Sequence, residues 1–176
     1  MKVRRPCIFK PNHFVVKNWR QSPLSTNLSS DRASCYKIFH VTSGSGLLVT
    51  SSHHYFLKAG DVAFIRPDEA VVWRILSDDI GGHFCFVHPK FFRHADHVVS
   101  MFLSFPYAHP ANAVVPLSRS QSEMLQRSFE LMLQEAVGDY DDKVQAILLH
   151  LQMILLKVRR AGKISGGTAR DLLIKA

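Results

Sequence analysis

The sequence has few cysteines and no long apolar run. It contains three cysteines, Cys7, Cys35 and Cys85, and none of them forms a CxxC pair. An odd number of widely spaced cysteines argues against a disulfide framework or a zinc knuckle and favours a reducing compartment. No apolar run approaches the roughly 18 residues of a membrane span, and the basic N-terminus lacks the apolar segment of a signal peptide. The sequence therefore predicts a cytoplasmic protein without a membrane partner.

The body of the chain also lacks an excess of positive charge, although the formal net charge is +8. Residues 1–37 hold eight basic side chains and one acid, residues 38–156 hold eight and twelve, and residues 157–176 hold six and one. Basic segments attract nucleic acid. Because the basic residues are concentrated at the two ends, the body is a poor candidate for a DNA-reading surface.

Local signatures of catalysis are missing as well. No Ser-His-Asp or Cys-His pattern stands out, so no catalytic residue is predicted. The Gly44-Ser-Gly46 turn lacks the lysine of a phosphate-binding loop, and no helix is predicted after it. His94 and His97 could share a helix face, but no acid cluster lies beside them, which favours a surface pair.

The pattern that is present divides the chain into four parts. Residues 1–35 indicate an N-terminal arm with one strand at His13–Trp19, and residues 36–116 hold short β-rich runs separated by Gly-rich turns, which is typical of a sandwich or small barrel. Residues 117–162 have helical periodicity. Residues 163–176 are interpreted as a linker and the start of a further helix, so we expect the chain to be a piece of a longer protein.

Two helices are predicted in residues 117–162. The first begins with a capping box, either Ser118 with Gln121 or, equally well, Ser120 with Glu123. It ends at Gly138, and its apolar stripe consists of Leu125, Phe129, Met132 and Ala136. The second is predicted to run from Asp139 to a stop at Gly162.

Several motifs resemble one family. They are Gly44-x-Gly46, Tyr55-x-Leu57, Gly60-Asp61 leading through an apolar strand to Pro67, Phe84-x-Phe86 and Phe91-Phe92. Their order, followed by the two helices, resembles the N-terminal effector-binding and dimerisation domain of AraC-type transcription regulators over roughly residues 36–160. The resemblance implies a mainly β fold: a cupin-like (jelly-roll) β-barrel followed by an antiparallel helix pair. It also implies a small-molecule effector, a homodimer, and DNA binding only through a C-terminal domain absent from this chain.

A metal centre is not expected, and neither is a cofactor. Catalytic cupins bind metal through His-x-His, a Glu and a later His, but His53 and His54 are adjacent and would face opposite sides of a strand. No Glu follows them, and Val71 stands where metal cupins have the later His. These losses predict a non-enzyme. The alternative is a stand-alone cupin enzyme, an isomerase or dioxygenase, which would have to bind metal. A self-contained DNA-binding protein is a second alternative, although no recognition helix is visible.

A ligand pocket is predicted from strand alternation. Val71, Trp73 and Ile75 share one face, which we take as inward because Arg74 faces the other way, and the next strand places Phe84 and Phe86 inward. Such a face suits a small ligand. The resemblance implies a sugar or a related metabolite that stacks on an aromatic ring, and Trp73 and Phe86 hold the equivalent positions. The weaker polar candidates are Thr42 and His13, together with Ser43 and His40. The alternative is that these aromatic residues form only a core.

A dimer interface is predicted on the second helix. Val144, Ile147, Leu151, Ile154 and Val158 step by 3, 4, 3 and 4, the spacing of a coiled-coil seam. The predicted interface residues are Ile147, Leu148, Leu151, Ile154 and Leu155. The alternative is an intramolecular core helix.

Overall fold

The computed structural model describes residues 13–20, 34–92, 98, 100, 101 and 113–172. Eight strands come first along the chain: β1 Phe14–Asn18, β2 Tyr36–Ser43, β3 Ser45–Thr50, β4 His54–Lys58, β5 Asp61–Ile65, β6 Val71–Ile75, β7 Gly81–Val87 and β8 Val114–Pro116. A single 3-10 turn, Pro89–Phe92, follows β7. Two helices follow β8: α1 Arg119–Val137 and α2 Lys143–Leu172. The predicted class, mainly β with C-terminal helices, is confirmed.

The strands form two antiparallel sheets. The larger has five strands in the order β1-β7-β2-β5-β8, and the smaller has three in the order β4-β3-β6. Within the described residues these two sheets are not joined by hydrogen bonds into a closed barrel. Of the two forms that the strand spacing predicts, a sandwich or a small barrel, the structure has the sandwich. Each strand is short, and twisted sheets of this size bury more apolar surface by stacking face to face.

The five-stranded sheet is buried on both faces because its strands alternate between two cores. Phe39 of β2 and Phe84 of β7 face the smaller sheet, in a core that we call the inter-sheet core. Ile38 of β2 and Cys85 of β7 face the helices, in a core that we call the helix–sheet core. Such a strand is apolar at nearly every position, and β7 is buried along its whole length.

The turn between β4 and β5 is built on Gly60 and Asp61. Gly60 has φ +92°, a conformation that favours glycine. The Oδ2 atom of Asp61 accepts a hydrogen bond of 3.0 Å from the amide of Lys58. Asp61 itself is buried, and this burial raises the pKa of its carboxyl. The turn therefore fixes how β5 enters the larger sheet.

The two helices pack side by side on the outer face of the larger sheet. Ser118 caps α1: its hydroxyl accepts from the Gln121 amide, and the Gln121 side chain accepts from the Ser118 amide. The first of the two predicted capping boxes is thus confirmed, as is the end of α1 before Gly138. The predicted bounds of the second helix are wrong at both ends, because α2 begins at Lys143 and continues past Gly162 to Leu172.

Gly162 does not stop α2 because glycine only weakens a helix, by about 1 kcal/mol, and does not block its hydrogen bonds. It also lies close to β8: a Cβ atom there would be 3.8 Å from Val115 Cγ2. Residues 163–172, which were predicted to form a linker and the start of a further helix, instead continue α2. No helix in the described part of the chain is long and apolar enough to span a membrane. His94, His97, Cys7 and most of the predicted arm lie outside the described residues.

Candidate functional site

Aromatic side chains from three strands and a turn meet in the inter-sheet core. Trp73 of β6 stacks parallel to Phe39 of β2 at 6.2 Å, and Phe84 and Phe86 of β7 lie 5.4 Å apart beside them. Trp19, directly after β1, lies 4.5 Å from Trp73 and 5.2 Å from Phe84. We call these five residues the aromatic cluster. All five are buried, with exposed fractions of 3% or less.

The smaller sheet is shaped to receive Trp73. The indole lies against the backbone of Gly46 on β3, where a Cβ atom would overlap the ring. Trp73 Nε1 is buried and meets no hydrogen-bond acceptor among the described residues, whereas Trp19 Nε1 donates to the carbonyl of His40 at 3.3 Å. A buried donor without an acceptor costs free energy, so the Trp73 N–H is a group that an acceptor atom of a ligand would satisfy.

The predicted inward face is largely as the alternation indicates. Val71 and Trp73 are buried, Arg74 is exposed, and Phe84 and Phe86 are in the inter-sheet core. Ile75 is the exception, with 48% exposure, because it ends β6.

The polar candidates do not join the aromatic cluster. Thr42 lines a cleft with residues of α1, on the helix side of the larger sheet. His13 precedes β1 and stacks on His88 at 5.2 Å, at the end of the sheet where Phe14 pairs with Val87. Ser43 donates to the Asp79 carbonyl at 2.7 Å. The facing of Thr42 and Ser43 could not be read from the sequence because β2 carries a register shift between Val41 and Ser43.

A second group of functional interest lies on the helix side of the same strands. His40 of β2 and His83 of β7 are cross-strand partners, with exposed fractions of 0% and 2%. Both imidazoles stack on the Phe129 ring of α1, at 5.8 and 5.4 Å. Burial, together with the proximity of His83, lowers the pKa of His40 to about 3. Burial also lowers the pKa of His83, while Glu130 acts in the opposite direction.

An open cleft of about 450 Å³ lies between the larger sheet and the first turns of α1. Thr42, Gly60, Ser122 and Gln126 are among its lining residues. The Oγ atom of Ser122 lies 2.9 Å from Nε2 of His40. The cleft therefore brings solvent close to a buried histidine.

Lys37, the second residue of β2, is a buried cation. Its ammonium donates to the backbone carbonyls of Cys35 and Arg66, at 3.0 and 3.3 Å. Burial lowers the pKa of Lys37 to about 8. Its neighbour across the strands is Phe86, which places Lys37 at the margin of the aromatic cluster.

The positions where catalytic cupins have metal ligands hold His53, His54 and Val71 in this chain. His53 lies in the turn before β4, and His54 begins that strand; both are exposed. Val71 is buried in the inter-sheet core. No group of three or more His, Cys, Asp or Glu side chains that could hold a metal ion occurs in the part of the chain that the structure describes.

The five residues predicted for the dimer interface are buried within the chain itself. Ile147, Leu148, Leu151, Ile154 and Leu155 belong to the helix–sheet core, and the most exposed of them is Leu148 at 6%. The coiled-coil spacing therefore marks the stripe by which α2 packs on its own sheet. This stripe is not a free surface, and the alternative of a core helix describes it correctly.

Sequence reasoning missed Trp19, Phe39 and His83. Phe39 has a usable signal, because alternation from Val41 places it on the same face of β2. Trp19 has none, since only the tertiary fold brings the end of β1 to β6.

The comparisons with known proteins find similarity only to solved structures. No protein-family model matches the chain, and no curated protein matches it. The AraC-like transcriptional activator CuxR aligns with TM-score 0.45 and 12% identity, over 76% of this chain and 44% of its own. ToxT from Vibrio cholerae O395 aligns with TM-score 0.45 and 15% identity, over 79% and 52%. A Cupin 2 conserved barrel domain protein from Salinispora arenicola CNS-205 aligns with TM-score 0.33 and 14% identity, over 51% and 91%.

The chain thus spans about half the length of the two regulators: the alignments cover 44% of CuxR and 52% of ToxT. The structure neighbours of the chain are AraC-like regulators and cupin proteins.

Proposed function

We propose that this chain is the effector-sensing and dimerisation domain of an AraC-type transcription regulator, which binds a small molecule between its two sheets. The motifs around Gly46, Gly60 and Pro67 support this proposal, together with the order of two sheets followed by a helix pair. In the proposed regulator, which acts in the cytoplasm, a separate domain binds DNA. The present chain has no enzymatic activity in this proposal.

The observation that carries the proposal is the buried N–H of Trp73, which has no acceptor among the described residues and lies within the aromatic cluster. A core that served packing alone would favour Phe there, because Phe brings no donor that has to be satisfied. The effector would place an acceptor atom at Nε1 and a flat or ring-shaped body against the indole. A sugar or a related metabolite has both features.

Trp19 occupies the space that such a ligand would need. Its ring centre is 4.5 Å from that of Trp73, so a third ring does not fit between the two. β1, which ends just before Trp19, is the edge strand of the larger sheet and can move without breaking a central strand. Binding would therefore displace Trp19 and report occupancy to the N-terminal segment.

The test is a thermal-shift screen of metabolites followed by calorimetry on two variants. Trp73→Ala should weaken binding of a confirmed effector by about 1–3 kcal/mol through lost stacking and apolar contact. Trp73→Phe keeps a ring and removes the N–H, so it should lose about 0.5–1.5 kcal/mol. Equal affinity of the wild type and Trp73→Ala would show that the pocket is elsewhere.

Trp19→Phe is the matched control, because the chain has two tryptophans and this change leaves Trp73 as the only one. Its fluorescence should shift when the effector binds. Trp19→Ala should bind the effector more tightly than the wild type, since a smaller side chain has to be displaced. Weaker binding by Trp19→Ala would contradict the displacement and make Trp19 part of the contact surface.

The proposed homodimer uses a different surface from the one that the spacing predicts. On α2, Leu149 and Met153 are exposed at 54% and 46%, and on α1 Met124 and Leu131 are exposed at 42% and 44%. The two helices are antiparallel, with Lys157 Nζ 3.2 Å from Met124 Sδ. We infer that these four residues lie on the side of the helix pair away from the sheet, which we call the outer helix face, and that a second copy of the chain would cover it.

A further inference from the structure

Among the described residues, two of the three polar side chains buried between α1 and the larger sheet are histidines. Of the residues buried in this region, His40, His83 and Ser128 are polar, and the others are apolar residues such as Leu125 and Met132. Ser128 satisfies itself within α1 by donating to the Met124 carbonyl at 3.2 Å. The histidines, in contrast, both come from the sheet and both contact the helix.

Each imidazole is placed to be neutral. Nδ1 of His40 and Nδ1 of His83 are buried and meet no hydrogen-bond partner among the described residues. The Nδ2 atom of Asn18 lies 3.4 Å from Nε2 of His83. An amide nitrogen only donates, so a proton added to that Nε2 would face another donor.

The surroundings offer little to balance a positive charge. The two histidines are each other's neighbours, so charging one disfavours charging the other. Glu130 on exposed α1 surface attracts a charged His83, and Cys85, next but one along β7, is a buried thiol whose pKa is raised by burial. From β5 and α2, Val62 and Leu151 bring only apolar surface to this core.

Both histidines also hold α1 directly. Their rings are nearly parallel to the Phe129 ring, within 15° and 8°, and His40 is hydrogen-bonded to Ser122 two turns earlier in the helix. The contacts thus span Ser122 to Phe129, in the N-terminal half of α1. Ser122 lines the open cleft, which gives solvent a path to His40.

We propose that His40 and His83 form an acid-sensitive latch that holds α1 on the larger sheet, and that proton uptake by this pair favours release of the helix. In the latched form both rings are neutral and stacked on Phe129. In the released form both rings reach water and can be charged. The latch gives the domain a response to pH that does not require an effector in the inter-sheet core.

The direction follows from linkage between proton binding and conformation. Both histidines have folded-state pKa values below the ordinary value, so the released form binds more protons at acidic pH. Once the pH is below the ordinary histidine pKa of about 6.5, the opening equilibrium should rise by up to about tenfold per pH unit for each histidine. Above pH 7 the latch should not respond.

Hydrogen exchange of the intact chain, expressed as protection factors, tests the latch. Between pH 7 and pH 5 the protection of α1 should fall at least about tenfold, while β3 and β4 of the smaller sheet keep theirs. The double variant His40→Gln with His83→Gln should lose this pH response, and His54→Gln, which removes an exposed histidine of β4, should keep it. Equal loss of protection in α1, β3 and β4 would show plain unfolding and overturn the proposal.

An NMR titration of the wild type keeps the proposal testable if the double variant does not fold. The ring signals of His40 and His83 should stay those of neutral imidazoles until the α1 amide signals change, and both should then change together. If either histidine titrates near pH 6.5 while the α1 signals are constant, the latch does not exist.

Discussion

At the scale of single residues, the position of Trp73 depends on the absence of a side chain opposite it. A Cβ atom at Gly46 would overlap the indole ring, and Trp73 has little room to retreat because it is buried against the rings of Trp19 and Phe39. We expect Gly46→Ala to lower the free energy of unfolding by about 1–3 kcal/mol, the usual cost of overpacking. Urea denaturation measures this change.

Gly138→Ala is the matched control for Gly46→Ala. A Cβ atom there would meet the ring of Tyr140, which is 64% exposed and can turn away. Its effect should stay within about 0.5 kcal/mol, as for surface substitutions in general. Equal stabilities of the two variants would mean that the Trp73 ring is not tightly held.

Lys37 makes a separate residue-scale prediction about alkaline pH. Its pKa is about 8 in the folded chain against 10.5 ordinarily, so the unfolded chain binds more protons between these values. Burial of the charged ammonium lowers the free energy of unfolding, and this loss is recovered as the pH rises from 8 towards 10 and the folded chain releases the proton. We expect the free energy of unfolding of the wild type to rise relative to that of Lys37→Gln, by at most about 1.4 kcal/mol per pH unit.

The comparison at pH 7.5 and pH 9.5 uses urea denaturation, with the exposed Lys58→Gln as the control. Lys58→Gln should follow the wild type. A constant difference between the wild type and Lys37→Gln across this range would mean that the ammonium is well solvated.

At the scale of elements, α2 has two apolar stripes with different partners. The stripe of Leu151 and Ile154 packs on the sheet, whereas Leu149 and Met153 belong to the outer helix face. If the proposed dimer forms, Leu149→Glu and Met153→Glu should give a folded monomer, because the charge stays in water when the partner leaves. Leu151→Glu should unfold the chain, because it buries an unpaired carboxylate.

Light scattering at tens of micromolar together with circular dichroism separates these outcomes. Leu148→Glu and Leu155→Glu, at the predicted interface, should behave like Leu151→Glu. A folded monomer from either would return the interface to the predicted stripe, and a monomeric wild type would contradict the dimer.

The same helix shows why part of the fold could be predicted and part could not. Periodicity identified α1 and α2, and Ser118 was one of two equally good predicted caps, because these features depend on neighbours within a few residues. It could not tell which stripe of α2 faces the sheet, since both stripes have helical spacing and only the tertiary fold distinguishes them. In β2, alternation predicts the side of Phe39, but the register shift before Ser43 removed that information for Thr42.

At the scale of the whole molecule, the five-stranded sheet separates the two sites that we propose. Its inner face carries the aromatic cluster, where we place the effector, and its outer face carries the histidine latch and the helix pair. β2 and β7 contribute to both faces, through Phe39 and Phe84 on one side and His40 and His83 on the other. A change in the inter-sheet core therefore has a short path to α1, one residue along each strand.

The distribution of charge over the whole chain makes the last prediction. The body from residue 38 to residue 156 has four more acids than basic residues, and the excess of positive charge is confined to residues 1–37 and 157–176. Charge of this kind supplies only the sequence-independent part of DNA binding, with a Kd of about 10⁻⁴–10⁻⁶ M at physiological salt. We expect two labelled duplexes of unrelated sequence to bind equally weakly in fluorescence anisotropy. Raising the salt from about 50 to about 200 mM should weaken both together, because counterions released from the phosphates drive the binding. Nanomolar binding that distinguishes the two sequences would place a DNA-reading element within these 176 residues, and it would contradict the proposal that a separate domain reads DNA.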